Sequence, residues 1–455
     1  MNQKLKEFKE EYKNKKVVIM GLGLNGGGLG SAKFFAKLGA NVLITDLKTK
    51  EDLYKTIKKL EKFGNIDYVL GEHREIDFKN ADLIIKNPGV RNTSKFLKIA
   101  VDNNVKINTD IGIFFELCEN KIIGVTGSKG KSTTTKLIVE LLETQYSVKT
   151  AGNNRISVLS VLEKLKKDEL VVLELSSWQL EILETVKKSP QISIITNIEE
   201  DHLDSYNDSM QNYANAKKLI LDYQKTGDYC ILNSASENLN ECVIKNLKTK
   251  ANIIFFGKEK NNIIEENLKL FGDHNKMNAK AAVEVANILN IKKQNIIKIL
   301  KNFKAPEGRI ELIREYKEIK FINDTTATSP IGAVQALKSI DRPIVLIAGG
   351  KDKDLDYTEF VKLMLQKVKY LVMFKGTATD KILSLLQSNN PPTGGQGSVP
   401  LVDTMSEAVK LAYSKCKKGD VLLLSPAAAS FPTFKNEFDR GDQFIKNVKK
   451  IKWEK

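Results

Sequence analysis

Short apolar runs alternate with amphipathic stretches along the whole chain. Near the N-terminus, Lys16-Val17-Val18-Ile19-Met20, Asn41–Thr45 and Leu83-Ile84-Ile85 read as buried strands. In the middle, Ile122-Ile123-Gly124-Val125, Val171–Leu180 and Ile192–Asn197 read the same way, the second of them burying a glutamate. Lys320–Asn323, Ile344–Ala348, Tyr370–Phe374 and Val421–Leu424 follow towards the C-terminus. Between the runs, helical spacing covers a charged lead-in over residues 1–16, then Ala32–Leu38, Ile113–Cys118, Leu137–Leu142, Tyr213–Ile220 and Ala279–Ala286. Strands separated by helices predict βαβ units and parallel sheets. At 455 residues the chain is too long for one ordinary core. The expected fold is α/β in three domains, 1–108, 109–305 and 306–455, with boundaries near Asn108 and at Ala305-Pro306-Glu307-Gly308-Arg309.

Two glycine-rich turns stand at the ends of predicted strands. Gly21-Leu22-Gly23-Leu24-Asn25-Gly26 matches G-x-G-x-x-G, further glycines follow at 27, 28 and 30, and the next strand ends in Asp46. This predicts a Rossmann-like first domain in which the turn holds a diphosphate and Asp46 a ribose hydroxyl. The second turn, Thr126-Gly127-Ser128-Lys129-Gly130-Lys131-Ser132-Thr133, lies between a strand and a helix. Glycines let backbone N–H groups converge on an anion, and the helix start adds its dipole. Lys131 would reach the outer phosphates and the Ser132 hydroxyl would hold Mg²⁺. The strict spacing asks for glycine at position 125, which is Val125, so the turn is a shortened variant in a P-loop-type central domain.

Other polar groups follow strand ends, the edge that faces the ligand crevice of an open α/β sheet. They are Asn87-Pro88-Gly89, Glu174 with Ser176, Ser177 and Gln179, Glu200-Asp201-His202, Asp324–Ser329, Gly349–Asp354 and Ser425–Ser430. A buried carboxylate is costly unless it is paired or bound to metal, which makes Glu174 and His202 candidate Mg²⁺ ligands. The chain has only three histidines, His73, His202 and His274. Lys217 on its predicted helix reads as an ordinary solvated lysine, and Asn275 and Asn278 serve equally as caps or as base contacts.

Composition narrows the class. The net charge of +16 comes from lysines spread over the whole chain, and only 7% of residues are aromatic. Without a basic–aromatic stripe, a nucleic-acid partner is not expected, whereas anionic small substrates are. No apolar run is long enough for a membrane span, the first residues carry no signal-peptide core, and four scattered cysteines give neither metal spacing nor a disulfide framework. A cytoplasmic protein without membrane contact is expected. The segment 387–400, with Pro-Pro-Thr-Gly-Gly-Gln-Gly, reads as a surface loop without chemistry.

Taken together and in order, Thr126–Thr133, Leu173–Glu181, Glu200–Asp204, Asp273-His274-Asn275 with Asn278, Asn323-Asp324 and Ser425–Ser430 resemble the motifs of the Mur ligase family, ATP-dependent enzymes of bacterial cell-wall peptide synthesis. The resemblance covers essentially the full chain. It is strongest to the member that joins D-glutamate to UDP-N-acetylmuramoyl-L-alanine, and it implies a monomer with a UDP-binding, an ATP-binding and an amino-acid-binding domain. It assigns Gly23, Leu24, Asn25, Asp46, Lys48, Asn87, Pro88, Gly89, Asn153, Ser176, Ser177 and Gln179 to the UDP substrate. To ATP it assigns Gly127, Ser128, Lys129, Gly130, Lys131, Ser132, Thr133, Asn275, Asn278, Arg309 and Asp324. Thr328, Lys353, Ser430 and Phe438 would form the amino-acid pocket. Ser132, Glu174, His202 and a carbamylated Lys217 would organise two Mg²⁺ ions, and Lys131, His202 and Lys217 would carry the catalysis. Thr326 stands where a lysine is common and Phe438 is one residue out of step with the usual aromatic, so a relative adding another amino acid stays open. Two unrelated readings also stay open. An NAD-dependent oxidoreductase would use Gly21–Asp46 and leave the second turn unexplained, and a non-catalytic phosphate-loop module would need no amino-acid pocket.

Overall fold

The computed structural model describes residues 3–23, 26–153, 156–201, 203–270, 272–386, 398–431 and 433–451. Leu24, Asn25 and His202, three of the expected site residues, therefore lie outside the described residues, as does most of the 387–400 segment. The chain divides into two compact units, one of residues 1–267 with 277–301 and one of 268–276 with 302–455.

The first unit carries two all-parallel sheets. One is built from β1 (Lys16–Met20), β2 (Asn41–Asp46), β3 (Ile66–Leu70), β4 (Leu83–Lys86) and β5 (Lys106–Asn108), in the order β3-β2-β1-β4-β5. The other is built from β6 (Ile122–Thr126), β7 (Val148–Gly152), β8 (Leu170–Glu174), β9 (Ile192–Ile195), β10 (Tyr229–Asn233) and β11 (Asn252–Phe256), in the order β11-β10-β9-β6-β8-β7. The central strands β1, β6 and β8 are buried on both faces, so they read as continuous apolar runs rather than alternating ones. One continuous core joins the two sheets, and Gly30 of the helix Gly27–Leu38 lies against Ser157 at the start of the helix Val158–Leu162.

The second unit holds β12 (Glu311–Tyr316), β13 (Ile319–Asn323), β14 (Ile344–Gly349), β15 (Val368–Phe374), β16 (Leu401–Val402) and β17 (Val421–Leu424), in the order β12-β13-β17-β14-β15-β16. All its neighbours are parallel except the β12–β13 hairpin at the edge. Helices cover both faces, with separate apolar clusters on each.

Three local expectations change. Val171–Leu180 is not one strand: β8 stops at Glu174, and Ser177–Leu180 is a helical turn. Its start is a capping box, in which Ser176 Oγ accepts from the Gln179 backbone N–H while Gln179 Oε1 accepts from the Ser176 N–H. The helix expected over Ala32–Leu38 begins at Gly27, directly on the glycine-rich turn, and the one expected over Ile113–Cys118 begins at Asp110 behind a Thr109 cap. The pattern also passes over β3, β5, β7, β10, β11, β12 and β16, several of which are short or exposed edge strands.

Candidate active site

In the first sheet the strand order reverses between β1 and β4, which places a ligand crevice at their C-terminal ends. Gly21 and Gly23 lie on one side of it and Asn87-Pro88-Gly89 on the other. Asn87 Nδ2 donates to the Gly21 carbonyl at 3.1 Å, and Gly23 N–H donates to Asp46 Oδ2 at 3.0 Å. Asp46 also accepts from Lys48 N–H at 2.9 Å, while the Lys48 side chain is exposed. A small cavity here is lined by Gly21, Gly27, Gly28, Ser31, Asn87 and Asp110. Asp110 carries no functional signal in the sequence, where Thr-Asp at a helix start reads as a cap. Burial pushes its carboxyl up to about 6.

The second sheet places the phosphate loop between β6 and the helix Lys131–Leu142. Gly127 has φ +146° and Gly130 φ +84°, and a Cβ at either would overlap Thr196 Oγ1 or the Asn278 carboxamide. The loop is stitched to the segment after β9. Ser128 N–H donates to the Asn197 carbonyl at 3.0 Å, Lys129 N–H to Asn197 Oδ1 at 2.8 Å, and Thr196 Oγ1 to the Lys129 carbonyl at 2.6 Å. Lys129 Nζ pairs with Asp201 at 3.1 Å.

Two ammonium groups meet at the loop. Lys131 Nζ donates to the carbonyls of Gly127, at 2.7 Å, and Ser128, at 3.0 Å. Lys217 Nζ donates to the same Gly127 carbonyl at 3.1 Å and lies 4.5 Å from the Tyr213 ring centre. Lys217 is 1% exposed, which corrects its reading as a solvated helical lysine. Burial, and then the Lys131 charge, hold its amine well below the ordinary lysine range, against the pull of Asp201. Glu174, the last residue of β8, pairs in register with Val125 of β6. It is buried; Oε1 accepts from Asn153 Nδ2 at 2.9 Å, and among the described residues Oε2 has no hydrogen-bond partner. A buried carboxylate oxygen without a partner next to a phosphate loop suits a divalent cation. Among the described residues no group of three or more His, Cys, Asp or Glu side chains could hold a metal alone, so Glu174 would need Ser132 and other oxygen donors.

Ser176, Ser177 and Gln179 stand just beyond Glu174. Ser177 and Gln179 are buried, and the capping box occupies Ser176 Oγ and Gln179 Oε1. Asn278 belongs with the phosphate loop in the first unit, whereas Asn275 belongs to the second; the division falls inside the helix Asp273–Ile288.

In the second unit, Lys353 Nζ donates to Thr328 Oγ1 at 3.3 Å, which joins two of the expected amino-acid contacts. The Lys351–Ala429 bridge brings the loop after β14 beside the loop that ends in buried Ser430. Phe438 is half-buried at the start of the helix Glu437–Lys450, and Arg309 is exposed. Arg440 is a residue that the sequence pattern gives no reason to bury. It is fully buried, donating to Thr325 Oγ1 and to the carbonyls of Thr325 and Ala428, and so ties the loop after β13 to the loop after β17. Burial brings its guanidinium down to about 10.

Asp324 accepts from Ser425 Oγ at 2.7 Å and from Ile310 N–H at 3.1 Å. Burial pushes its carboxyl up to about 7, from 3.8. Between those two pH values the native state holds a proton that the unfolded state has lost, so this group makes stability fall as pH rises through the window. Asp324→Asn is expected to remove that slope, at most about 1.4 kcal/mol per pH unit, in denaturant unfolding between pH 4 and 7. An unchanged slope would assign the titration to another group.

The fold and site thus define an α/β nucleotide-binding protein with a phosphate loop, a buried lysine against that loop and a carboxylate beside it. Three family models match the chain: a Mur ligase MurD-like N-terminal domain over residues 15–109, the Mur ligase middle domain over 125–280 and the Mur ligase glutamate ligase domain over 308–428. Among curated relatives, proteins named UDP-N-acetylmuramoylalanine--D-glutamate ligase are similar over nearly full length. The one from Roseiflexus sp. (strain RS-1) is 36% identical and covers 95% of this chain and 98% of its own. The one from Borreliella afzelii (strain PKo) is 37% identical over 96% and 98%, and the one from Acetivibrio thermocellus 35% identical over 99% and 100%. The chain belongs to the Mur ligase family. Solved structures share the fold. Thermotoga maritima MurC aligns with a TM-score of 0.61 at 19% identity, over 96% of this chain and 100% of its own. The MurF ligase of the same organism, in complex with ADP, aligns with a TM-score of 0.58 at 16% identity, over 97% of each chain. Among the described residues no helix is long and apolar enough to cross a membrane.

Proposed function

We propose that the protein is an ATP-dependent carboxylate–amine ligase that joins D-glutamate to UDP-N-acetylmuramoyl-L-alanine, in the cytoplasm and as a monomer. The observation that carries this reading is the convergence, at the ends of β6 and β8, of a phosphate loop, an unpartnered buried carboxylate oxygen and a buried amine of lowered basicity. Residues 1–108 take the UDP handle, 109–305 take ATP and 306–455 take the amino acid.

A carboxylate does not condense with an amine in water until it gains a leaving group. The alanyl carboxylate oxygen attacks the γ-phosphorus of ATP, the bond to ADP breaks, and an acyl phosphate forms. The D-glutamate amine then attacks the acyl carbon and phosphate leaves. Lys131 turns from the loop carbonyls to the phosphates and offsets the negative charge that would otherwise repel the incoming carboxylate. Backbone N–H groups of Gly130–Thr133 orient the phosphates, those of Ser128 and Lys129 being taken by Asn197. Mg²⁺, as two ions held by Ser132, Glu174, His202 and Lys217 in its carbamate form, supplies further charge neutralisation when bound. Gly23, Leu24, Asn25, Asp46, Lys48 and Asn87–Gly89 hold the UDP end of the substrate. Asn153, Ser176, Ser177 and Gln179 line the way to the reacting carboxylate. Asn275, Asn278, Arg309 and Asp324 contact ATP. Lys353, hydrogen-bonded to Thr328, pairs with a carboxylate of the amino acid beside Ser430 and Phe438. The bound phosphate takes the proton that the amine must lose.

The test is phosphate release with UDP-N-acetylmuramoyl-L-alanine, ATP and a panel of amino acids. D-glutamate is expected to give the dominant signal. Release no greater than with buffer would sink the D-glutamate assignment, and release with a different amino acid would redirect it within the family.

A further inference from the structure

One polar chain crosses from the first sheet to the second, and the proposed chemistry does not use it. Lys86, the last residue of β4, is buried, and its Nζ donates to the Val90 carbonyl at 3.1 Å and to Asn92 Oδ1 at 2.5 Å. Asn92 Nδ2 donates to Glu181 Oε2 at 2.6 Å. The other Glu181 oxygen, Oε1, accepts from the buried Tyr206 hydroxyl at 3.1 Å. The Tyr206 ring packs 5.4 Å from the Tyr213 ring, and the Tyr213 hydroxyl lies 3.1 Å from Ser128 Oγ in the phosphate loop.

The chain has one sense. An ammonium fixes which end of the Asn92 amide is the acceptor, so the amide must offer N–H to Glu181. Both Glu181 oxygens then receive donors from different segments, one from the loop that follows Asn87–Gly89 and one from the segment that follows Asp201. Arg91 and Asp204 face each other across the same seam at 3.9 Å, but both are exposed and add little.

We infer that Glu181, through Asn92 and Tyr206, is a positioning residue that sets the crevice at the end of β4 against the phosphate loop. This rests on the ligase reading above, in which the UDP handle is gripped at one end of this span and its carboxylate must meet ATP at the other. A misplacement of about 1 Å at a reacting atom costs on the order of 10²-fold in rate.

Reversing the polarity of one link tests this. Asn92→Asp places a carboxylate against Glu181 on an exposed side chain. It is expected to lower kcat and raise KM for UDP-N-acetylmuramoyl-L-alanine, each by about 10-fold. KM for ATP and the unfolding midpoint should stay near wild type. Adding Glu181→Gln restores the pattern. The new carboxylate at position 92 then accepts both from Lys86 and from the introduced amide at position 181, whose carbonyl oxygen still accepts from Tyr206. The double variant is expected within about 3-fold of wild type, a coupling that additive effects cannot give. Wild-type ligation with a double variant no better than Asn92→Asp overturns the positioning role alone, as does an Asn92→Asp variant as active as wild type. Wild-type phosphate release that ignores every amino acid overturns the ligase reading and the positioning role with it.

Discussion

Lys131→Ala is expected to lower ligation by about 10²–10³-fold while binding of the UDP substrate survives. The ammonium donates to the Gly127 and Ser128 carbonyls at the head of the helix Lys131–Leu142, so only a rotation of its own side chain is needed to meet phosphates in the loop. Alanine keeps the helix, being its best former, and leaves the conformations of Gly127 and Gly130 before it untouched. The lost term is charge stabilisation that grows as the γ-phosphoryl group moves, so kcat should fall more than KM for ATP rises. The proposed grip on the UDP handle is at the other sheet, so titration calorimetry with UDP-N-acetylmuramoyl-L-alanine should return the wild-type affinity. Full turnover in this variant would remove the phosphate loop from the chemistry. Loss of UDP-substrate binding would show instead that the two sheets bind as one site.

What the sequence made legible were features whose signal is local. β1, β6, β14 and β17 are continuous apolar runs because both their faces are covered, and each is readable from a few residues. Both glycine turns are readable for the same reason. The misreading of Leu175–Leu180 as strand has a physical origin: Leu173-Glu174-Leu175-Ser176 alternates apolar and polar with the period of a strand. The Ser-x-x-Gln capping box that ends the strand is present three residues apart and outweighs that alternation. The pattern could not show how side chains distant in sequence meet. Lys217 looks like any helical lysine until the phosphate loop, 90 residues away, closes over it. Glu181 meets Asn92 across 89 residues and Tyr206 across 25. Burial of Asp110 and Arg440 likewise follows from the packing of whole elements, and charged residues give no apolar signal in advance.

Lys217→Ala should lower kcat by about 10²-fold and be partly rescued by short carboxylic acids such as acetate or formate. Lys217 is sealed against the Tyr213 ring and the Gly127 carbonyl, and it shares that carbonyl with Lys131. Burial first, and then the Lys131 ammonium on the same carbonyl, disfavour the charge, which is why the Lys217 amine is held low. The neutral amine is the form that attacks CO₂; nitrogen bonds to carbon, a proton leaves, and a carbamate anion replaces a suppressed cation. An anion there would attract Lys131 rather than repel it and, like the buried Glu174 carboxylate, offer an oxygen to a divalent cation. The rescue follows because a small carboxylate can enter the space that alanine leaves and supply the same charge. Bicarbonate should raise wild-type activity and do nothing for the variant. Intact-mass measurement at neutral pH should find one added CO₂ that is lost on acidification. Wild-type turnover in Lys217→Ala, or rescue by short amines rather than acids, would return Lys217 to the role of a buried cation.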